Sequence, residues 1–214
     1  MTRQVRTFAQ GALWALPVWA AMLFFSTLTH QPDPQSNFAD FAAYVTTTRF
    51  LLSHLINSIT GVAVGSIGVV GLMLYLQDSK VAGRAITGMV AAVVSNTLVS
   101  SIFGVAAFGQ TAMGRMFLAG QQSAADFYPE VYNGTLFGTA VIALLLFMIG
   151  GVFTGNAITA SGFFPRWTGW VYAISIVVFV LSNFLLDIGQ SIASALLFIA
   201  TITIAWNAGR LDHN

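Results

Sequence analysis

Six long runs of apolar residues follow one another along the chain, separated by shorter segments rich in polar residues and proline. A helix needs about 20 apolar residues to cross the hydrocarbon core of a bilayer. The last stretch, residues 167–206, is too long for one span and fits two helices with a turn at residues 186–190. The pattern predicts an all-α polytopic membrane protein, one domain over residues 1–214 built as a bundle of six transmembrane helices, at about residues 8–28, 49–76, 85–108, 135–155, 167–186 and 189–206.

Two polar segments interrupt this pattern for longer than the other connections do. Residues 29–48 contain Pro32 and Pro34 and are predicted to form a loop, in which residues 38–44 could make a short interfacial helix. Residues 109–134 form the longest predicted loop, and its RMFLAG portion is apolar enough to lie on the membrane. The pattern leaves open whether this loop contains a further membrane element.

Positive charge is distributed unevenly between the two sides that six helices define. Because Lys and Arg accumulate in cytoplasmic loops, the side with more of them is predicted to be cytoplasmic. The far side receives only Arg49 and Arg115. The side that holds both termini carries the other six basic residues, Arg3, Arg6, Lys80, Arg84, Arg166 and Arg210.

Composition agrees with a membrane location and removes several classes of function. Charged residues make up 7% of the chain, against about 25% in soluble proteins, and the mean hydropathy is +0.80. The net charge of +1 provides no basic surface for a nucleic acid, whose binding depends on many phosphate contacts. The chain has no cysteine, which excludes thiol chemistry and Cys-ligated metal clusters. The lipid bilayer is therefore an expected partner, and nucleic acid is not.

The second predicted helix combines polar residues with glycines. At about 100° per residue, one arc of roughly a third of its circumference holds His54, Asn57, Ser58, Gly61, Gly65 and Gly68. An ionisable residue inside a span is unfavourable unless it faces a partner or a watery cavity, so His54 is a candidate site residue. A neutral histidine that joins two helices by a hydrogen bond is an equally good interpretation. The glycines favour close helix packing over a functional role.

The predicted orientation places polar residues of several helices at the same depth as His54. Pockets between the helices of a bundle are common ligand sites. The sequence therefore predicts an outward-facing polar pocket, with His54 and Asp187 as its titratable members and hydrogen-bonding walls formed by Asn57, Asn96, Asn183 and Gln190. The alternative is that Asp187 and Gln190 only cap a turn near water.

Sequence signals for several specific chemistries are missing. A bis-histidine haem needs two histidines at membrane depth, and only His54 qualifies, because His30 lies in a predicted loop and His213 in the tail. The single lysine, Lys80, lies in a connection, which argues against a retinal Schiff base. The chain has no HExxH, GxSxG or Walker motif. No cofactor or metal is expected, and an enzyme acting on a lipid or isoprenoid is the least favoured function.

Three sequence features together carry a resemblance. They are RFLLSHL at the start of the second helix, the glycine-rich middle of that helix, and FFPRWTGW at the start of the fifth. In this combination the chain resembles multi-pass integral membrane proteins of bacteria whose function is unknown. The resemblance implies a bacterial inner-membrane protein of about six helices, and it carries over no catalytic or binding residue.

Two functions agree with these observations. The first is the binding or transport of a small molecule through the outward-facing pocket, with proton coupling through His54. The second is a structural or assembly role in a larger membrane complex. There the glycine face of the second helix docks a partner subunit or a second copy of the chain.

Overall fold

The structure, a computed structural model, describes residues 2–28, 31–185 and 187–210, and it describes side chains outside residues 183–187. The described residues form helices and no strand, which confirms the predicted all-α class. In chain order the helices are α1 (Arg3–Leu13), α2 (Ala15–Ser26), α3 (Phe38–Val45), α4 (Thr48–Leu52), a π-helical segment (Ser53–Thr60), α5 (Gly61–Leu76), α6 (Ala82–Gly104), a second π-helical segment (Val105–Gln110), α7 (Thr111–Leu118), a 3₁₀ segment (Gln122–Asp126), α8 (Phe127–Val131), α9 (Gly134–Ser161), α10 (Arg166–Leu185) and α11 (Asp187–Arg210).

The longer helices form six columns. The first column is α1 with α2, the second runs from α4 to α5, the third runs from α6 to α7, and the last three are α9, α10 and α11. The first column breaks at Trp14, three residues before Pro17. A proline ring clashes with the carbonyl four residues earlier, which explains a break at this place.

Within the described residues, five columns are long and apolar enough to cross a membrane, whereas the sequence predicts six spans. In the fifth column the apolar stretch Arg166–Ser182 is shorter than in the others. The five candidate spans are Arg3–Ser26, Thr48–Leu76, Ala82–Leu118, Gly134–Ser161 and Ile188–Arg210.

The most apolar column is also the least buried. The mean hydropathy of α9 reaches 2.5 over an 18-residue window, yet only 17% of that window is buried inside the structure. Side chains such as Phe137, Ile142 and Leu145 point outward and are at least 49% exposed. So large an apolar surface would drive association in water and is stable in lipid. The chain is therefore a helical membrane protein.

The columns form a closed ring, in which each packs against the next along the chain. The ring closes because α11 packs against α2 and α1. Two hydrogen bonds join this first and last column. Gln10 Nε2 donates to the carbonyl oxygen of Ala208 at 3.0 Å, and the hydroxyl groups of Thr27 and Ser191 lie 2.8 Å apart. The centre of the ring can therefore receive side chains from all six columns.

The half of the ring that carries the termini has a filled interior. Leu13, Leu76, Ile158 and Ile204 come from four different columns, are fully buried and belong to one apolar cluster. Their packing closes the ring centre on this side. The opposite half, which we call the distal half, contains the two π-helical segments and the short helices α3, α7 and α8.

The third column continues well beyond its predicted end at residue 108, because its last helix packs on α3. A Cβ atom at Gly114 would lie 2.8 Å from Val45 Cγ2 and 3.1 Å from the carbonyl oxygen of Ala42. The hydroxyl group of Thr111 donates to the carbonyl oxygen of Val45 at 3.0 Å. The prediction of a loop at residues 109–118 is thus wrong, whereas the short helix predicted at residues 38–44 is confirmed.

The third column is longer than a bilayer core is thick. Thirty-seven residues, Ala82–Leu118, make a helix of about 55 Å, whereas the hydrocarbon core of a bilayer is about 30 Å thick. Its distal end packs on α3. We call α3, α7 and α8 the distal cap.

Aromatic rings hold the distal cap together. Phe38 packs against Phe117 with ring centroids 4.9 Å apart, and Phe41 meets Tyr128 edge to face at 5.4 Å. Tyr128 also stacks on Tyr132 at 4.4 Å. Burial, and after it the carboxylate of Asp33, raises the pKa of the Tyr128 hydroxyl above its usual value of 10.0.

We expect the distal cap to loosen at alkaline pH. Because the pKa of Tyr128 is higher in the folded state, its contribution to stability is complete below pH 10.0 and is lost as the pH rises through the folded pKa. Amide hydrogen exchange in Phe38–Val45 should therefore accelerate at high pH, after correction for the intrinsic rate. Tyr128→Phe should remove this acceleration. An identical pH profile in the variant would show that Tyr128 is not responsible.

Candidate functional site

A cavity of about 500 Å³ lies in the distal half of the ring. Its walls include side chains from all six columns, which places it at the ring centre. Most of the lining is apolar, whereas the sequence predicts a polar pocket. The apolar walls include Leu23, Val99, Ile102, Leu144, Phe147 and Phe179.

His54 lines this cavity from the first π-helical segment. Its Nδ1 atom lies 3.0 Å from the carbonyl oxygen of Phe50. Because a carbonyl oxygen can only accept, Nδ1 carries the hydrogen, and the neutral imidazole presents Nε2 as an acceptor. The ring is held against Phe50 at a centroid distance of 4.1 Å and meets Phe103 edge to face at 6.0 Å. Both aromatic contacts restrict the rotation of the imidazole ring.

The π-helical winding decides which neighbour of His54 shares its face. In a π-helix the hydrogen bonds run from residue i to i+5, so each residue turns the chain by less than in an α-helix. The residue four positions on, Ser58, is then brought closer to the face of His54, and Asn57 is rotated away. Ser58 is buried and lines the cavity, whereas Asn57 is half-buried and is not part of the lining.

Asn96 of α6 supplies a buried amide to the cavity wall and is 4% exposed. Its Nδ2 atom donates to the carbonyl oxygen of Val62 at 3.2 Å and to Ser66 Oγ at 3.0 Å. The hydroxyl of Ser66 itself donates to Val62 at 3.0 Å. Since the carbonyl of Val62 only accepts, the amide orientation is determined. The Oδ1 atom of Asn96 is buried without a hydrogen-bond partner among the described residues.

Trp19 of α2 also presents a buried polar atom on the cavity wall, and it is not among the predicted site residues. The side chain is 2% exposed, packs edge to face on Phe147 at 6.0 Å, and lies against Gly65. Its Nε1 donor has no hydrogen-bond partner in the part of the chain that the structure describes. One signal was available in the sequence: tryptophan prefers the membrane interface, whereas Trp19 lies inside an apolar run.

The predicted site residues are distributed as follows. His54, Asn96 and Gln190 line the cavity, and Asn57 does not. The side chains of Asn183 and Asp187 lie outside the described residues, so the predicted approach of Asp187 to His54 is not described. Within the described residues, no group of three or more His, Asp and Glu side chains is placed to hold a metal ion.

The glycine face of α5 is covered by the first column of the same chain. A Cβ atom at Gly65 would lie 2.9 Å from the Trp19 ring, and one at Gly68 would lie 2.7 Å from Leu16. At Gly71 the same construction meets Ala12 at 2.6 Å. These glycines let the first and second columns approach closely. The face proposed to dock a partner subunit is therefore occupied within the chain.

The fold and the composition together define the class, a helical membrane protein with a cavity inside its ring of helices. No protein-family model, curated protein or solved structure matches the chain. Its function is therefore argued from the cavity and from the distribution of charge.

Proposed function

We propose that the protein is a multi-pass protein of the bacterial inner membrane that binds a small molecule in the ring cavity, as part of its transport or capture from the outer side. The single observation that carries this proposal is the cavity itself. Its volume of about 500 Å³ falls within the range of sites for small molecules, which are mostly apolar with a few directed polar groups. His54, Asn96 and Trp19 are such groups.

The position of the fifth column supports six spans. α10 has 20 residues, about the number needed to cross the hydrocarbon core, and it packs between α9 and α11 in the ring. A ring member flanked on both sides by candidate spans shares their environment. Six spans place both termini on one side, and six of the eight basic residues lie on that side. The positive-inside rule then assigns the termini to the cytoplasm and the distal half to the outer side.

The cavity is closed toward the side of the termini. The buried cluster around Leu13, Leu76 and Ile204 fills the ring centre there. A ligand therefore reaches the cavity from the distal half. Transport across the membrane requires a second conformation in which this cluster separates, whereas binding alone does not.

We expect Ala140→Phe to abolish ligand binding by filling the cavity, because Ala140 lies on its wall. The matched control is Ile142→Phe on the same helix, where the side chain points outward and is 55% exposed. Each protein is purified from the membrane, and the small molecules that it retains are extracted and compared by mass spectrometry.

A molecule retained in stoichiometric amounts by the wild type and by Ile142→Phe, but lost from Ala140→Phe, supports the proposal. Retention of the same molecules by all three proteins, or by none of them, contradicts it. Melting temperatures measured in the same detergent show whether Ala140→Phe remains folded. If it does not, Ala140→Leu fills less of the cavity and replaces it.

A further inference from the structure

Two buried polar atoms on the cavity wall lack partners among the described residues, and they are of opposite kind. Trp19 Nε1 can only donate a hydrogen bond, and Asn96 Oδ1 can only accept one. Nearly all buried polar atoms in proteins are hydrogen-bonded, so an orphaned pair on one cavity indicates an absent partner. That partner must accept from Trp19 and donate to Asn96.

Both orphaned groups lie against the same turn of α5. Asn96 Nδ2 bonds to Val62 and Ser66, and the Cδ1 atom of Trp19, which is bonded to Nε1, would lie 2.9 Å from a Cβ atom at Gly65. Val62, Gly65 and Ser66 occupy about one helical turn. Both orphaned atoms therefore lie at about the same depth along α5, on walls of the same cavity.

The chemistry of the lining restricts what the absent partner can be. A carbonyl oxygen satisfies Trp19 but has no hydrogen for Asn96, whereas a hydroxyl group accepts and donates at once. His54 Nε2 offers a further acceptor for a second donor on the ligand. The described lining contains no Asp, Glu, Lys or Arg side chain, so a charged headgroup would be buried without an opposite charge there. The remaining walls suit an alkyl or isoprenoid chain.

We propose that the ring cavity selects a neutral amphiphile with a hydroxyl headgroup, a long-chain or isoprenoid alcohol, whose hydroxyl accepts from Trp19 and donates to Asn96. This inference rests on the proposed binding function of the cavity and adds the chemical class of its ligand. The apolar tail of the alcohol lies along the walls formed by Leu23, Ile102 and Phe147.

The protein offers a reporter for this binding. Trp19 is 2% exposed, whereas the other four tryptophans, Trp14, Trp167, Trp170 and Trp206, are between 44% and 56% exposed. A variant with all four replaced by phenylalanine keeps Trp19 as its only tryptophan. Bromine quenches tryptophan fluorescence on contact, so a quencher dissolved in the lipid reaches Trp19 poorly unless it enters the cavity.

The experiment reconstitutes this variant in phosphatidylethanolamine and phosphatidylglycerol vesicles and compares 2-bromododecan-1-ol with 2-bromododecane. We expect the alcohol to quench Trp19 at a mole fraction at least about tenfold lower, the factor that one well-placed hydrogen bond supplies. Dodecan-1-ol should relieve the quenching, whereas dodecanoate and dodecylammonium should not.

Two amide variants test the recognition. Asn96→Leu should reduce the advantage of the alcohol over the bromoalkane, because the hydroxyl then keeps only its contact with Trp19. Asn156→Leu should leave the quenching by both compounds unchanged. Asn156 is an exposed amide of α9 and does not line the cavity. If Asn96→Leu does not fold, the comparison of alcohol with bromoalkane in the unaltered cavity decides the matter by itself.

The other outcomes separate the two proposals. If the alcohol and the bromoalkane quench Trp19 equally in the protein with Asn96 intact, the cavity does not select a hydroxyl group. That result overturns this inference and leaves the proposed binding function in place. Displacement of the alcohol by dodecylammonium or dodecanoate shows a charged headgroup, which also overturns the inference alone. Failure of both bromo compounds to quench Trp19 shows a cavity that amphiphiles do not enter, which overturns the inference and counts against the binding function.

Discussion

Gly155→Leu is expected to lower the free energy of unfolding by about 3 kcal/mol or more, at the upper end of what overpacking a core produces. At Gly155 the backbones of α9 and α10 nearly touch. A Cβ atom there would lie 2.5 Å from the carbonyl oxygen of Gly169 and 2.7 Å from Ala173 Cβ. Backbone atoms cannot rotate away as a flexible side chain can, so the two helices must separate along their length.

The matched control is Gly138→Leu on the same helix. A Cβ atom at Gly138 meets no atom within 4 Å, so leucine there extends into lipid and gains helix propensity over glycine. Thermal unfolding in one detergent, followed by circular dichroism, compares both variants with the wild type. Equal melting temperatures for Gly155→Leu and Gly138→Leu would mean that α9 and α10 are not in backbone contact.

Contacts of this kind explain why the arrangement of helices could not be predicted although the helices could. Long apolar runs indicate spans directly, because a helix alone satisfies its backbone hydrogen bonds in lipid. They do not indicate which helices are neighbours, since an apolar face can contact lipid or any other helix equally well. The glycines of α5 were predicted to allow close packing, but only the structure shows that Trp19, Leu16 and Ala12 fill that face.

Hydropathy also misplaced the end of the third column. Gly109, Gln110 and Thr111 interrupt the apolar run, which is the pattern of a helix leaving the membrane. In the structure Thr111 bonds to Val45, and Gly114 packs on α3, so tertiary contacts replace the lipid contacts that the pattern measures. A window of hydropathy contains no information about such a partner.

In the candidate site, too, some features could be predicted from the sequence and others depend on the folded structure. The depth at which polar residues gather could be read from the sequence, and His54, Asn96 and Gln190 lie together on the cavity wall. A constant step of about 100° per residue places both Asn57 and Ser58 on the face of His54, and the local π-helical winding keeps Ser58 there and rotates Asn57 away. The orphaned Nε1 of Trp19 depends on atoms from two other columns, which no local pattern specifies.

Trp19→Ala is expected to lower the free energy of unfolding by about 3–5 kcal/mol, the usual range for truncating a large buried aromatic side chain. The indole packs against Phe147 and the bare surface of Gly65, and alanine leaves both contacts empty. Trp19→Phe keeps most of this packing and deletes the orphaned donor. In the unliganded protein it should therefore change stability by less than about 1 kcal/mol.

The two substitutions together separate packing from hydrogen bonding at the cavity wall. If Nε1 donates its hydrogen bond to a ligand, Trp19→Phe should hardly change the stability of the unliganded protein. A bound alcohol stabilises the wild type, because binding to the folded state adds to stability. This stabilisation should be smaller in Trp19→Phe. Denaturant titrations in mild detergent with and without dodecan-1-ol measure both effects. A large loss in Trp19→Phe without ligand would show that Nε1 already has a partner in the protein. Trp19 Nε1 would then be part of the hydrogen bonding within the helix bundle. It could not bind the hydroxyl group of a ligand, and only the contact with Asn96 would remain.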